Sequence, residues 1–217
     1  MNWVRTQSAP AASERRDRAR HDILRAASTL FRARGFHATG MRDIASALGM
    51  TVGNLYYYFR NKQDLLAFCQ RDTLSRLLHL ADHVAQLPHG ADQQLWLLIA
   101  GHVRCLNEGV PGSLAHLEIE ALDPHDRDDI VQLRSQYERA VRELIQRGID
   151  AGTFAPADAD IAARTILGAV NWTVKWFRPD GRLSLDEISE SFASQLVRGL
   201  LRPGVALRRP DHVSSKE

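Results

Sequence analysis

The 217-residue chain lacks the features that mark several large protein classes. It has two cysteines, Cys69 and Cys105. Two cysteines make no disulfide framework and these have no metal-ligand spacing, so free thiols in a reducing cytoplasm are expected. No uninterrupted apolar run reaches the roughly 18 residues of a membrane-spanning helix, so no membrane partner is expected. The first residues, MNWVRTQSAPAASERRDRAR, lack the apolar stretch of a signal peptide, and a disordered lead is expected over 1–14. Strand-like alternation persists nowhere, and no internal repeat is visible. Nine histidines are present, none in a His-Glu-x-x-His arrangement. His79 and His83 are four apart, but Asp82 lies on another helical face and no acidic third ligand is near; the Asp123-Pro124-His125-Asp126 patch adds no helical metal spacing. A metal-dependent hydrolase is therefore disfavoured, and the expectation is no catalytic residue, no metal site and no cofactor.

The formal net charge is small, +2, but unevenly placed. From Met1 to Asp72 there are twelve Arg or Lys against six Asp or Glu, which leaves sixteen basic and twenty acidic residues in the remainder. A basic N-terminal third on a mildly acidic remainder is an electrostatic footprint for nucleic acid. Arg15, Arg16, Arg18 and Arg20 lead into the first helix and are candidates for phosphate contacts. An architectural protein that binds DNA without sequence preference is a competing class, although its basic charge would be spread along the chain.

Within the basic third, Thr39 to Leu66 reads TGMRDIASALGMTVGNLYYYFRNKQDLL. Met41 to Leu48 is a helix with Ile44, Ala45 and Leu48 on one face. Gly49 ends it, because glycine accepts the left-handed conformation found after many helices. Thr51 then supplies an N-cap oxygen for a second helix, Val52 to Phe59. Two short helices across a glycine-containing turn make a helix-turn-helix, whose second helix enters the major groove. Leu55 and Phe59, four apart, bury one side of that helix. Thr51, Asn54, Tyr56, Tyr57 and Tyr58 place hydroxyl, amide and phenol groups elsewhere, and three consecutive tyrosines on a short helix cannot all be buried. Asn61-Lys62-Gln63-Asp64 reads as a capping box, with Asn61 as N-cap and Asp64 at the third position. Lys62 thus lies in a first helical turn, where free N–H groups favour a phosphate.

The run GFHATGMRDIASALGMTVGNLYYYFRNKQDLL resembles the DNA-binding region of TetR/AcrR-type transcriptional regulators. The likeness is carried by the glycine-aromatic pair, the Ile-Ala pair, the Gly-x-Thr-x-Gly turn, the Leu-Tyr-x-Tyr-Phe helix and the Lys-x-x-Leu start of the following helix. The resemblance implies that Thr39, Gly40 and Arg42 touch backbone phosphates. It implies that Thr51, Val52, Gly53, Asn54, Tyr56 and Tyr57 face the groove, and that Tyr58 and Lys62 hold phosphate. Val52 departs from the polar residue that many relatives carry, and a valine contacts a thymine methyl without hydrogen-bonding.

Beyond Leu66 the periodicity is helical throughout, and an all-α protein is expected. Helices are predicted from Lys62 to the Pro88-His89-Gly90 break, over Asp92–Glu108, around Ser113–Leu122 and over His125–Ala151. Asp160–Phe177 is apolar on nearly all sides and needs cover all round. Ser184–Leu201 carries a stripe of Leu185, Ile188, Phe192, Leu196 and Leu200. These last two helices are expected to pair with their copies in a homodimer through Ile166, Val170 and that stripe, as TetR-type proteins do. Two-fold symmetry would present two reading helices to a pseudo-palindromic operator in double-stranded DNA. The expected organisation is a helix-turn-helix domain over 15–62, a helical effector-binding and dimerisation domain over 63–202, and a disordered tail over 203–217.

The resemblance also implies a small-molecule effector enclosed by the larger domain. Candidate lining residues are Trp96, Ile99, His102, Val103, Leu106, Leu117, Arg134, Tyr137, Val141, Val170, Asn171, Trp176 and Arg178. The segment from Ile166 to Ser184 is similar to regulators of fatty-acid, aromatic-acid or sterol-fragment breakdown that respond to acyl-coenzyme A (acyl-CoA) thioesters. Arg104, Arg134, Arg164, Lys175 and Arg178 are the cations available for its phosphates. A free hydrophobic or aromatic compound is the competing effector class.

Overall fold

The computed structural model describes residues 9–108 and 119–210. Its helices are α1 (Ala9–Arg34), α2 (Met41–Ala47), α3 (Val52–Tyr58), α4 (Lys62–Gln86), α5 (Ala91–Asn107), α6 (Pro124–Asp150), α7 (Ala159–Asn171), α8 (Thr173–Trp176) and α9 (Leu185–Arg198). A short 3-10 turn covers Ile119–Ala121. The remainder of the helix expected around Ser113–Leu122 lies outside the described residues. No strand is present among the described residues, and the fold is all-α; one isolated bridge joins Phe154 and Leu201. No described helix is long and apolar enough to cross a membrane.

The described residues divide into two compact units, 9–70 with 119–127, and 71–108 with 128–210. The boundary falls eight residues after the one placed at Lys62, because the first turns of α4 belong to the head. Phe68 packs against Phe59 and His21, at ring-centroid distances of 5.4 Å and 5.7 Å. In this first unit the core is Ile23, Leu24, Ala27, Phe31, Phe36, Ile44, Ala45, Leu55, Phe59, Leu65 and Leu66, all buried. Gly49 has φ of 64° and ends α2 where a side chain would be strained.

In the second unit α5 runs against α7, α8 and α9. The close fit of the α6–α7 connection depends on Gly148, since a Cβ there would overlap the ring of buried Phe154. The helix expected over Asp160–Phe177 is broken at Trp172 into α7 and α8. At the break, Asn107 Nδ2 donates to the buried Thr173 hydroxyl at 2.9 Å, and that hydroxyl donates to the Val170 carbonyl at 2.7 Å. α9 begins with Ser184 as N-cap, whose hydroxyl accepts from the Glu187 N–H while the Glu187 carboxylate accepts from the Ser184 N–H.

Both expected disordered ends are corrected in part. Residues 9–14 are already helical in α1, and residues 203–210 are ordered as far as Pro210. The reason for the second is an anchor: Arg208 Nη2 donates to Asp92 Oδ1 at 2.8 Å and Arg208 Nε to Oδ2 at 3.2 Å. Burial pushes the Asp92 carboxyl up, but the Arg208 guanidinium outweighs this and holds it below its ordinary value. Replacing Arg208 by Ala leaves a fully buried carboxylate short of two hydrogen bonds, which costs about 1–3 kcal/mol. Differential scanning fluorimetry of Arg208→Ala is expected to show a midpoint lowered by several degrees.

Candidate nucleic-acid interface and ligand cavity

The reading head is built on two anchors, one in α3 and one at its C-terminal cap. Leu55 and Phe59 are fully buried, which turns the opposite side of the helix outward. Thr51 caps it as expected, its hydroxyl accepting the Asn54 N–H at 3.1 Å. Thr51, Gly53 and Asn54 are exposed, Val52 is half-buried, and Tyr56 and Tyr57 are 50% and 68% exposed. Tyr58 is half-buried, its ring 5.1 Å from that of Tyr57 in an edge-on arrangement. Arg42, in the first turn of α2, is exposed.

Three residues expected to contact phosphate are engaged within the chain. Thr39 is buried, and its hydroxyl donates to the Gly35 carbonyl at 2.9 Å. The Gly40 N–H is taken by Asp43 Oδ2 at 2.7 Å, which caps α2. Lys62 does not extend into solvent. Its ammonium donates to the carbonyls of Phe36 at 2.8 Å and Thr39 at 3.0 Å, and lies 4.3 Å from the centre of the Phe36 ring. The physical reason is the end of α1: the chain that follows it carries carbonyl oxygens without helical partners, and a cation is favoured there. Asn61 is the N-cap of α4, accepting the Asp64 N–H at 2.7 Å. Asp64 closes its half of the box one residue early, on the Arg60 N–H at 3.0 Å. Sequence reasoning also grouped Arg20 with the phosphate candidates; its guanidinium instead lies 4.2 Å and 5.0 Å from the ring centres of Phe68 and Phe59.

The second unit holds a cavity with room for about one water molecule, far below the several hundred Å³ of a small-molecule pocket. Leu95, Leu98, Ile99, His102, Tyr137, Val141, Ile166, Leu167 and Val170 line it. Five of the expected lining residues are therefore in place: Ile99, His102, Tyr137, Val141 and Val170. Asn171 stands behind them, its Oδ1 3.0 Å from His102 Nε2, while Tyr137 Oη is 2.9 Å from His102 Nδ1. Burial drives the His102 imidazole down to about 4, against the opposing hydrogen bond to Asn171. The ring is neutral, and the pairing assigns its proton to Nε2, with Tyr137 donating to Nδ1. Burial likewise raises the Tyr137 phenol.

Other candidates do not reach the cavity. Trp96 is buried and donates through Nε1 to the Ser194 hydroxyl at 3.1 Å, while Val103 and Leu106 are core residues. Trp176 is 42% exposed and stacks on Phe192, and Arg178 is exposed. Arg134 is half-buried one helical turn before Tyr137, its guanidinium pushed down to about 10 by burial. Leu117 lies outside the described residues. Leu95, Leu98 and Leu167 were missed, although 95, 98, 99 and 102 share one helical stripe on α5.

The expected dimer residues divide in two. Ile166, Val170 and Ile188 are buried within the chain, because these faces of α7 and α9 pack inward with α5. Leu185, Phe192, Leu196 and Leu200 are half-buried. The outward side of α7 and α8 carries Ile161, Trp172 and Trp176, at 62%, 58% and 42% exposure. Gly168 lies among them, with open space where its Cβ would be.

Residues 23–68 match the family model described as bacterial regulatory proteins, tetR family, and residues 88–200 match a tetracyclin repressor-like C-terminal domain. The chain is 27% identical to the HTH-type transcriptional repressor KstR2 of Mycolicibacterium smegmatis, over 90% of this chain and 94% of that protein. Among solved structures it is similar to the TetR family transcriptional regulator PfmR of Thermus thermophilus. That match has a TM-score of 0.75 and 30% identity, covering 83% of this chain and 99% of the other. It is also similar to AibR in complex with isovaleryl coenzyme A and operator DNA, with a TM-score of 0.72 and 26% identity, covering 84% and 97%.

Two outcomes test the geometry. Lys62→Met keeps the aliphatic stem but strands the Phe36 and Thr39 carbonyls, a loss of about 1–3 kcal/mol that urea unfolding will record. For His102 the folded value lies below the ordinary 6.5, so its contribution is complete above that pH and is lost as the pH falls toward about 4. The wild-type protein is expected to lose about 2 kcal/mol more than His102→Asn between pH 7 and pH 4.5, measured by urea unfolding at those two values.

Proposed function

The chain belongs to the tetR family of bacterial regulatory proteins, and on that premise we propose that it is a homodimeric repressor whose operator is pseudo-palindromic and whose effector is an acyl-CoA thioester. At the coarser level it is a DNA-binding transcriptional regulator and not an enzyme. The observation that carries the reading is the division of α3, with Leu55 and Phe59 inward and Gly53, Asn54, Tyr56 and Tyr57 outward. Asn54 supplies amide groups for adenine or phosphate, and the tyrosines supply hydroxyls and apolar ring edges for thymine methyls. Arg42 and Thr51 flank this face as phosphate contacts, with Val52 and Tyr58 at its margin. DNA contacts would be made in the cytoplasm.

A dimer is supported by the uncovered apolar side of α7 and α8. Ile161, Trp172 and Trp176, with half-buried Phe192 and Leu196, leave a large amount of apolar surface in water. Gly168 at its middle admits a close helix, and a second copy of the same surface supplies one at a two-fold axis.

The effector reading is supported by the similarity to KstR2 repressors and by a relative that holds isovaleryl coenzyme A. The cavity around His102 is too small as it stands, so an acyl group must bind an expanded form of the second unit. Binding that prefers one conformation shifts the population toward it. α4 is continuous from Lys62 to Gln86 and contributes residues to both units, which suits it to carry such a change to the loop that Lys62 holds. Among the cations, Arg104 is paired with Asp186 at 2.8 Å and Arg164 with Glu138 at 3.1 Å. Lys175 and Arg178, both exposed, are the better candidates for the CoA phosphates.

One experiment tests the whole reading. A duplex is selected from a random pool by the wild-type protein, and binding to it is compared with a scrambled duplex at physiological salt. Preference for the selected duplex is expected to reach roughly 10³. Tyr57→Ala is expected to lower that preference by at least about tenfold, a loss of about 1.4 kcal/mol. CoA thioesters with acyl chains of increasing length are then titrated against the complex, alongside the matching free acids. Release by thioesters alone supports the reading, release by free acids alone overturns the effector class, and a pool without enrichment overturns the repressor.

A further inference from the structure

We propose that Arg16 is a second DNA-contacting element, a guanidinium set over the Tyr57 ring that holds a phosphate beside the groove read by α3. The proposal rests on the DNA-reading role of α3. It concerns a part of the chain that precedes the matched DNA-binding segment: α1 begins at Ala9, whereas that segment begins at residue 23. The intervening residues form about four helical turns.

The sequence presents four arginines in those turns, Arg15, Arg16, Arg18 and Arg20, and the structure separates them. Arg20 is half-buried over the rings of Phe68 and Phe59, and His21 meets Phe68 edge-on. These contacts pin this stretch of α1 against the end of α3 and the start of α4. Arg16 lies four residues earlier, so it shares the face of α1 that carries Arg20. Its guanidinium carbon is 5.7 Å from the centre of the Tyr57 ring. Tyr57 is 68% exposed and has Tyr58 edge-on against it, so its ring is held between Tyr58 and Arg16 at one end of the reading face.

The chemistry of that stack favours an anion. A guanidinium held over an aromatic ring at this distance spends no N–H on it, and its N–H groups remain for bidentate bonding to phosphate. The neighbouring charges are arranged differently. Arg18 is within 3.8 Å of Glu14 and Arg25 within 3.5 Å of Asp22, whereas no carboxylate is placed against Arg16 among the described residues. Arg16 thus adds a pre-positioned cation next to the one tyrosine of α3 that stands furthest out.

The test uses the full-length protein, the selected duplex and the scrambled duplex, with affinity measured by fluorescence anisotropy across a series of salt concentrations. Arg16→Ala is expected to weaken binding to both duplexes roughly tenfold and to reduce the slope of log K against log salt by about one for each reading head. Arg16→Lys is expected to restore the slope but only part of the affinity, since lysine keeps the charge and loses the fork. Arg18→Ala, already paired with Glu14, is expected to change the slope less than Arg16→Ala. An unchanged affinity and slope for Arg16→Ala overturns the proposal. A lost affinity with an unchanged slope also overturns it, by assigning Arg16 to the positioning of Tyr57 alone. Failure of the wild-type protein to prefer any duplex overturns the DNA-reading role itself, a separate outcome from either of these.

Discussion

The first unit is organised around the difficulty of keeping α3 helical while most of its surface stays in water. A helix of seven residues has little stability of its own, because the cost of nucleation is spread over few hydrogen bonds. Burial of Leu55 and Phe59 supplies what propensity does not. Those two side chains need a floor, which α1, α2 and the first turns of α4 provide through Ile44, Phe68 and Arg20. They also need the chain to enter and leave at the right angle, which Gly49, the Thr51 cap and the Asn61 cap supply. Exposing Asn54, Tyr56 and Tyr57 to a partner is possible only because every other contact of α3 is inward.

Lys62 shows how the same requirement redirects a charged side chain. A lysine in the first turn of a helix is well placed for a phosphate, and its position in sequence suggests nothing else. The fold brings it against the loop after α1, where carbonyl oxygens lack partners, and those oxygens claim its protons. It supports the reading head from behind. Arg42 in contrast is exposed, and Arg16, in a stretch of α1 that precedes the matched segment, lies over exposed Tyr57.

The second unit poses the opposite problem, that of a polar cluster within an apolar core. His102, Tyr137 and Asn171 come from α5, α6 and α7 and satisfy one another, so the imidazole stays neutral at the bottom of a mostly aliphatic cavity. Such a network fixes the register of three helices, because each group loses a hydrogen bond if its helix slides. It also places neutral hydrogen-bonding groups where a ligand would enter if the helices separate.

Local chemistry was legible in the chain itself. Helix periods, the Gly49 stop, the Thr51 and Asn61 caps and the inward pair Leu55 and Phe59 depend on residues within about five positions of one another. The all-α class and the reading helix followed from these short-range rules. The break at Trp172 did not, and the hydrogen bond that Thr173 accepts beside it comes from Asn107, 66 residues away in sequence. The sorting of Ile166, Val170 and Ile188 inward, and of Ile161 and Trp172 outward, was likewise hidden, since a helix apolar on nearly all sides does not say which side meets its own chain. Lys62 on the α1 loop, Arg16 on Tyr57 and Arg208 on Asp92 belong with these, for each joins residues 23 to 116 positions apart. Sequence alone determined the all-α class and the helix-turn-helix segment, because both follow from local spacing. Only the tertiary structure decided which charges and apolar side chains remain free for a partner, because that depends on what the rest of the chain has already engaged.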